Sequence, residues 1–170
     1  MYDQHAEHTA IIDGSVDHVF ALLDDQTRLS GHMEQRSWKM GWGKMEIVVD
    51  ERRGRAVGSH MILRGRVLGI RLQLDEVVTQ REPPHRKVWE TVGDPRLLVI
   101  GPYRMGFELA SFQAKTRVRV EISYRLPERG IPWVLGRLFG RAYATWCVTR
   151  MAEDARLAFA RESHASLPQT

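Results

Sequence analysis

The sequence predicts an α+β domain in which a seven-stranded antiparallel sheet wraps around a long C-terminal helix. Three observations lead there. From Ile131 to Ser163 no proline follows Pro132, and apolar residues recur mostly three or four apart, among them Val134, Leu135, Leu138, Phe139, Ala142, Tyr143, Trp146, Cys147, Met151, Ala155 and Ala158; this is a helical period. At ~1.5 Å per residue that helix is roughly 45–50 Å long, too long to lie bare on a small domain. Ahead of it, apolar and polar residues alternate with period two in consecutive runs joined by hairpin-length connections, which is the pattern of antiparallel strands. Strands grouped apart from helices place the helix on one sheet face.

Taken in order, the first strand spans His5 to Ile12 and is broken by Asp13-Gly14. Ser15 is a good N-cap, and Asp17 sits in a first turn whose dipole favours an anion. Val16, Val19, Phe20, Leu22 and Leu23 then follow at helical spacing until Asp24-Asp25, and Gln26 to Met33 reads as a second short helix. From Trp38 the period becomes two. Met45, Ile47 and Val49 form one strand, turned at Arg53-Gly54; Met61, Leu63 and Val67 form the next, turned at Leu68-Gly69; Ile70, Leu72 and Leu74 open a third. Val77-Val78 interrupts the alternation and marks a bulge, so facing beyond Glu76 stays open. Pro83-Pro84 ends that strand, Lys87 to Val92 is the next, and Gly93-Asp94-Pro95 is a turn. A strand over Leu97 to Leu109 precedes the turn at Gln113-Ala114-Lys115. Val118, Val120, Ile122, Tyr124 and Leu126 give the clearest alternation, and Pro127 and Gly130 lead into the long helix. Residues 164–170 read as a loose tail.

The chain of 170 residues, with 43% hydrophobic and 27% charged residues, has the composition of one soluble globular domain. There is no apolar run of membrane-spanning length, and the N-terminus lacks the basic and apolar regions of a secretory signal. Cys147 is the single cysteine, which excludes an internal disulfide and makes a reducing cytoplasm the expected location. The net charge of +4 raises the question of nucleic acid. However, Arg64, Arg66, Arg71, Arg117, Arg119 and Arg125 alternate with apolar residues, as on a solvated sheet face. Arg52-Arg53-Gly54-Arg55 is the one compact basic cluster, and it reads as a hairpin turn. With no recognition motif beside the charge, no specific nucleic-acid partner is expected.

At this stage the chain resembles the START-like, or Bet v 1-like, helix-grip superfamily (SRPBCC), including its polyketide cyclase/dehydrase-like branch. The resemblance rests on the stretch Ile11-Ile12-Asp13-Gly14-Ser15-Val16-Asp17-His18-Val19-Phe20-Ala21-Leu22-Leu23-Asp24-Asp25, on Gly58, and on Gly65-Arg66-Val67-Leu68-Gly69. Glu82-Pro83-Pro84 before Val88-Trp89, and Tyr124-Arg125-Leu126-Pro127 before the last helix, complete it. It covers nearly the whole chain, and order and spacing carry it more than any single motif. It implies a curved sheet gripping the C-terminal helix with an elongated apolar cavity between them. It implies no single chemistry, since members bind lipids, hormones, polyketides or quinones and only some are enzymes.

Catalytic signatures are sparse. His5-x-x-His8 is the histidine pair nearest to a metal spacing, but with no cysteine or evident third ligand beside it no metal is expected. There is no nucleophile elbow, phosphate loop or dinucleotide fingerprint, and no cofactor is expected; Gly41-Trp42-Gly43 lacks the third glycine. Cys147 reads as a core thiol. The candidate ligand-binding lining is Trp42, Met61, Leu63, Trp89, Tyr103, Met105, Phe107 and Tyr124 from the sheet side, with Leu138, Phe139, Ala142 and Trp146 from the helix. Glu90, Arg104 and Glu108 face outward if Trp89, Tyr103 and Phe107 face inward; a shift of one residue would instead put a carboxylate inside, able to act as acid or base. Ile131-Pro132-Trp133-Val134-Leu135 is unusually apolar for an entry turn, and Trp133 and Phe139 are placed at the cavity mouth. The leading expectation is a carrier or binding protein for a hydrophobic small molecule. The alternatives are a cyclase- or dehydratase-like enzyme using Tyr103, Tyr124 and one carboxylate, and a module making transient contact with a membrane or a partner.

Overall fold

A computed structural model describes residues 2–25, 45–67 and 70–165. The elements are β1 (Gln4–Ile12), α1 (Val16–Asp24), β2 (Met45–Val49), β3 (His60–Val67), β4 (Ile70–Glu82), β5 (Arg86–Thr91), β6 (Tyr103–Phe112), β7 (Lys115–Tyr124) and α2 (Gly130–Ala165). The strands form one seven-stranded sheet in the order β1-β7-β6-β5-β4-β3-β2, and all neighbours are antiparallel. Thus the expected sheet and long helix are present. The expected short helix over Gln26–Met33 and the Leu68-Gly69 turn lie outside the described residues. The helix α2 continues through Ala165, so the start of the expected tail is helical.

Local chemistry accounts for the element ends. The Ser15 Oγ accepts from the His18 N–H at 3.4 Å and caps α1, with Asp17 in its first turn. The expected strand over Leu97–Leu109 is corrected: β6 begins only at Tyr103. Pro102 has no N–H to give a ladder, and the chain there is held instead by the Gly101 N–H on the Arg125 carbonyl (2.7 Å) and the Arg125 N–H on that of Pro102 (2.9 Å). The bulge in β4 also lies further along than the sequence suggests. Pairing with β5 runs from Val78↔Trp89 to Gln80↔Val88, which leaves Thr79 as the extra residue. Alternation therefore survives through Leu74, Glu76 and Val78, and all three are buried.

How α2 lies on the sheet is set by small residues. Gly136, Gly140, Ala144, Val148 and Ala152 follow one another four apart, all buried, and Ala155 and Phe159 extend the same side. This ridge rests on β1 and β7, while the β3–β5 half of the inner face has no comparable helix backbone against it among the described residues. A Cβ at Gly136 would stand 2.8 Å from Pro127 Cδ and 2.9 Å from the Val99 carbonyl oxygen, closer than a Cβ approaches its neighbours in real contacts. The bulky residues that carry the helical period are consequently turned away. Trp146, whose spacing suggests a core position, is 46% exposed and stacks on Tyr143.

At the far end of α1 lies a buried ionic cluster. Lys87 is fully buried; its Nζ is 3.0 Å from Asp24 Oδ1 and donates to the Asp24 carbonyl at 3.0 Å, where the helix dipole favours a cation. Arg81 adds Nη2 to Oδ2 at 2.8 Å and Nε to Oδ1 at 3.2 Å. Burial alone raises the Asp24 pKa, but the Arg81 and Lys87 bonds and charges outweigh it and hold the carboxyl below its usual value. The cluster ties α1 to β4 and β5.

Two outcomes are expected in equilibrium denaturation. Gly136→Ala lowers the urea midpoint although alanine gains ~1 kcal/mol of helix propensity, because overpacking costs ~1–3 kcal/mol. Gly140→Ala is nearly neutral, since the closest atom is the movable Leu126 Cδ2. A more stable Gly136→Ala protein would show that the ridge is not close-packed. Asp24→Asn costs ~3–5 kcal/mol by stranding a buried cation, and adding Lys87→Met recovers a large part of that loss. No recovery in the double variant would remove the ion pair as the cause.

Candidate functional site

The inner face of β3 to β6 gathers a mainly apolar wall with one acidic group in it. Register sets Met61 of β3 opposite Glu76 of β4, Val78 opposite Trp89 of β5, and Trp89 opposite Met105 of β6. Tyr103 and Phe107 stand on either side of Met105 on β6. Met61, Glu76, Trp89, Tyr103 and Phe107 are buried, while Leu63 and Met105 are half-buried against them. Phe107 packs edge-on against Phe20 of α1 at 5.7 Å and against Trp89 at 6.4 Å. Tyr103 is also fixed through its backbone, its N–H donating to Thr91 Oγ1 at 3.1 Å.

Glu76 is the centre of this wall. The Tyr103 hydroxyl donates to its Oε1, and the Trp89 side chain also hydrogen-bonds to it. Burial pushes its pKa up to about 7, against the two donors that favour the carboxylate. Burial, then the Glu76 charge, raise the Tyr103 hydroxyl well above its usual value, with smaller contributions from Tyr143 and Cys147. Those two residues stand one turn apart on α2 and hydrogen-bond to each other. Burial raises both, the thiol to about 11, so Cys147 is a protonated thiol at neutral pH and no ready nucleophile. Near pH 7, then, Glu76 alone of these groups exists in both protonation states. The arrangement can hold a hydroxyl or carbonyl group of an apolar molecule, and it can exchange one proton.

Several expected residues stand elsewhere. Tyr124 is buried directly opposite Tyr103 across β6 and β7, but its ring packs beneath Gly140, burial raises its pKa with Arg141 and Asp3 as the nearby charges, and it does not share the Glu76 bond. Leu138, Phe139, Ala142 and Trp146 are exposed rather than turned toward the wall. Trp42 lies outside the described residues. Glu90, Arg104 and Glu108 are partly exposed on the outer face, where Glu108 meets Arg86 at 3.4 Å and Arg119 at 3.8 Å. The interior carboxylate is therefore Glu76 and not one of these. The pattern Leu74-x-Glu76-x-Val78 held the signal, obscured by a bulge assigned two residues early. His5 and His8 fall on opposite sheet faces. His5, Glu7 and Glu121 do place ligand atoms within 4.8 Å of one another on the outer face, but Arg119 engages Glu7 at 2.6 Å. No helix among the described residues is long and apolar enough to cross a membrane.

No protein-family model and no curated protein sequence matches this chain significantly. Solved structures do. Norcoclaurine synthase from Thalictrum flavum, in complex with dopamine and hydroxybenzaldehyde, is similar at 14% identity and TM-score 0.61, covering 98% of this chain and 89% of that one. The ginseng major latex-like protein 151 from Panax ginseng is similar at 14% identity and TM-score 0.55, covering 91% and 97%. A Thermus thermophilus protein, TTHA0849, is similar at 15% identity and TM-score 0.58, covering 96% and 100%. At such identities the likeness concerns the fold, and it joins the strand order and the long gripped helix in one conclusion: this chain has the helix-grip fold of those structures.

Proposed function

We propose that this protein binds a hydrophobic small molecule between α2 and the β3–β6 half of the sheet, with Glu76 and Tyr103 meeting the polar group of that molecule. The observation that carries this is the hydrogen-bonded Glu76 carboxyl in an otherwise apolar wall. A buried acid without an ion-pair partner, with only a weaker pull from the Lys87 charge, costs stability at neutral pH, and such groups concentrate at sites. The ridge of α2 supports the reading by resting on β1 and β7 rather than on the β3–β5 part of the wall. The ligand class that fits has an apolar body and a hydroxyl or carbonyl: a lipid, a polyketide or a quinone-like molecule. The single free thiol, Cys147, agrees with a cytoplasmic setting.

An environment-sensitive apolar dye tests this directly. Saturable binding is expected for the wild type, and Tyr103→Ala and Glu76→Leu are expected to change the affinity for a competing long-chain alcohol or quinone at least tenfold. Folded wild type without saturable dye binding would sink the proposal.

A second reading is favoured by one specific value, the Glu76 pKa near 7. A general acid or base is most effective when its pKa lies near the working pH. In a cyclase- or dehydratase-like enzyme, Glu76 would take a proton from the carbon beside a substrate carbonyl and Tyr103 would hydrogen-bond the carbonyl oxygen. Deuterium uptake from solvent into an aromatic β-diketone probe separates the two. Wild type no faster than Glu76→Gln leaves binding alone.

The same carboxyl gives a pH signature. Its folded pKa of about 7 lies above the unfolded value of 4.5, so its contribution to stability is fully present below 4.5 and is lost as pH rises through 7. Over that interval wild type is expected to lose ~3 kcal/mol relative to Glu76→Gln. Parallel urea midpoints for the two proteins from about pH 5 to pH 8 would place Glu76 in solvent instead.

A further inference from the structure

We propose that the outward side of the first half of α2 docks on the surface of an anionic lipid membrane. At ~100° per residue, Leu138 lies about 200° around the helix from Gly136, Val134 about 160° and Ile131 about 220°. All three thus point away from the sheet, and they are 67%, 46% and 71% exposed. Three aliphatic side chains on successive turns of one face make a contiguous apolar patch of the kind that marks an interaction surface.

Charge decides the occupant. An exposed Glu128 offsets Arg129 just ahead of the helix, but from Gly130 to Ala152 the charged side chains are Arg137, Arg141 and Arg150, with no Asp or Glu among them. Arg150 is engaged by Asp154 at 3.0 Å, while Arg129, Arg137 and Arg141 are exposed along the apolar stripe. A second copy docking by the same face would bring these arginines against their counterparts, because a twofold contact pairs a patch with itself. An anionic bilayer supplies both what the stripe needs, an apolar layer for Ile131, Val134 and Leu138, and negative headgroups for the arginines. Trp133 strengthens the case. It is half-exposed at the start of the helix with the Arg137 guanidinium 5.5 Å from its ring centroid, an aromatic beside a cation as at a headgroup boundary. The inference stands whether or not the Glu76 wall holds a ligand.

Flotation of the full chain with vesicles tests it, using phosphatidylcholine alone and phosphatidylcholine containing roughly a third phosphatidylglycerol. Wild type is expected to float with the anionic vesicles and to be released by ~0.5 M salt, with a blue shift of tryptophan emission that Trp133→Phe removes. Ile131→Ser combined with Leu138→Ser is expected to weaken binding at least tenfold at an unchanged urea midpoint, because both residues are exposed. Arg137→Gln and Arg141→Gln are each expected to weaken it about fivefold. Leu157→Ser, at an exposed leucine on the second half of the helix, is expected to leave it unchanged. The proposal is overturned if wild type floats with neither vesicle, or if the stripe variants bind like wild type. It is also overturned if sedimentation velocity shows a dimer that Leu138→Ser dissolves, which would assign the face to a second copy.

Discussion

The approach of the α2 backbone to the sheet at Gly136 is the contact on which the remaining architecture depends. With 2.8–2.9 Å between a would-be Cβ and the Pro127 and Val99 atoms, there is room for a hydrogen and nothing more. Alanines and a valine continue the ridge along β1 and β7, so the helix lies low over one side of the sheet. Two consequences follow from this single constraint. Among the described residues the β3–β5 part of the inner face has no α2 backbone pressed onto it, and the bulky apolar residues of the first helical turns point sideways or outward. The wall around Glu76 and the stripe from Ile131 to Leu138 are both products of that placement.

Two buried acids show how neighbours decide charge in the same interior. Asp24 and Glu76 are both nearly inaccessible, and burial raises the pKa of each. Asp24 has Lys87 and Arg81 within bonding distance, which overcome burial and keep it ionised. Glu76 has a phenol and an indole, neutral donors that offset burial only in part. The first arrangement fastens α1 to the sheet and has no proton to exchange near neutrality. The second sits near its midpoint at pH 7, which is a property of a site more than of a fastening.

The two proposals address opposite sides of one helix. Tyr143 and Cys147 lie on the flank near Tyr103, whereas Ile131, Val134 and Leu138 point away from the sheet. A protein carrying an apolar molecule inside gains from a surface that rests where such molecules are dissolved, and the arginines along α2 would supply the attraction without any residue of the Glu76 wall. The helix-grip fold accommodates both, because the grip on the helix is made by its small residues and leaves its large ones free.

How much of this is legible in the chain differs by element. Period-two alternation in β7 and β1, the Ser15 cap, the Arg53-Gly54 turn and the length of the last helix are local patterns, so the α+β class, seven strands and their antiparallel order could be read directly. The inward facing of Met61, Trp89, Tyr103 and Phe107 followed from the same rule. What failed were readings in which size or register was decided by partners far away in sequence. Trp146, Leu138 and Phe139 have the helical spacing of a core face, but Val99 and Pro127 leave room only for glycine at Gly136, which turns the small-residue side of the helix to the sheet, and only the folded chain brings them there. Glu76 was hidden because a bulge shifts by one or two residues without altering composition, and its place is fixed by pairing with Thr91 and Met61 across two neighbouring strands. The sequence by itself determined which elements form and in what order, since capping, turns and alternation are short-range. Tertiary structure alone decided which helix face is buried and which carboxyl is inside, since both depend on contacts between residues tens of positions apart.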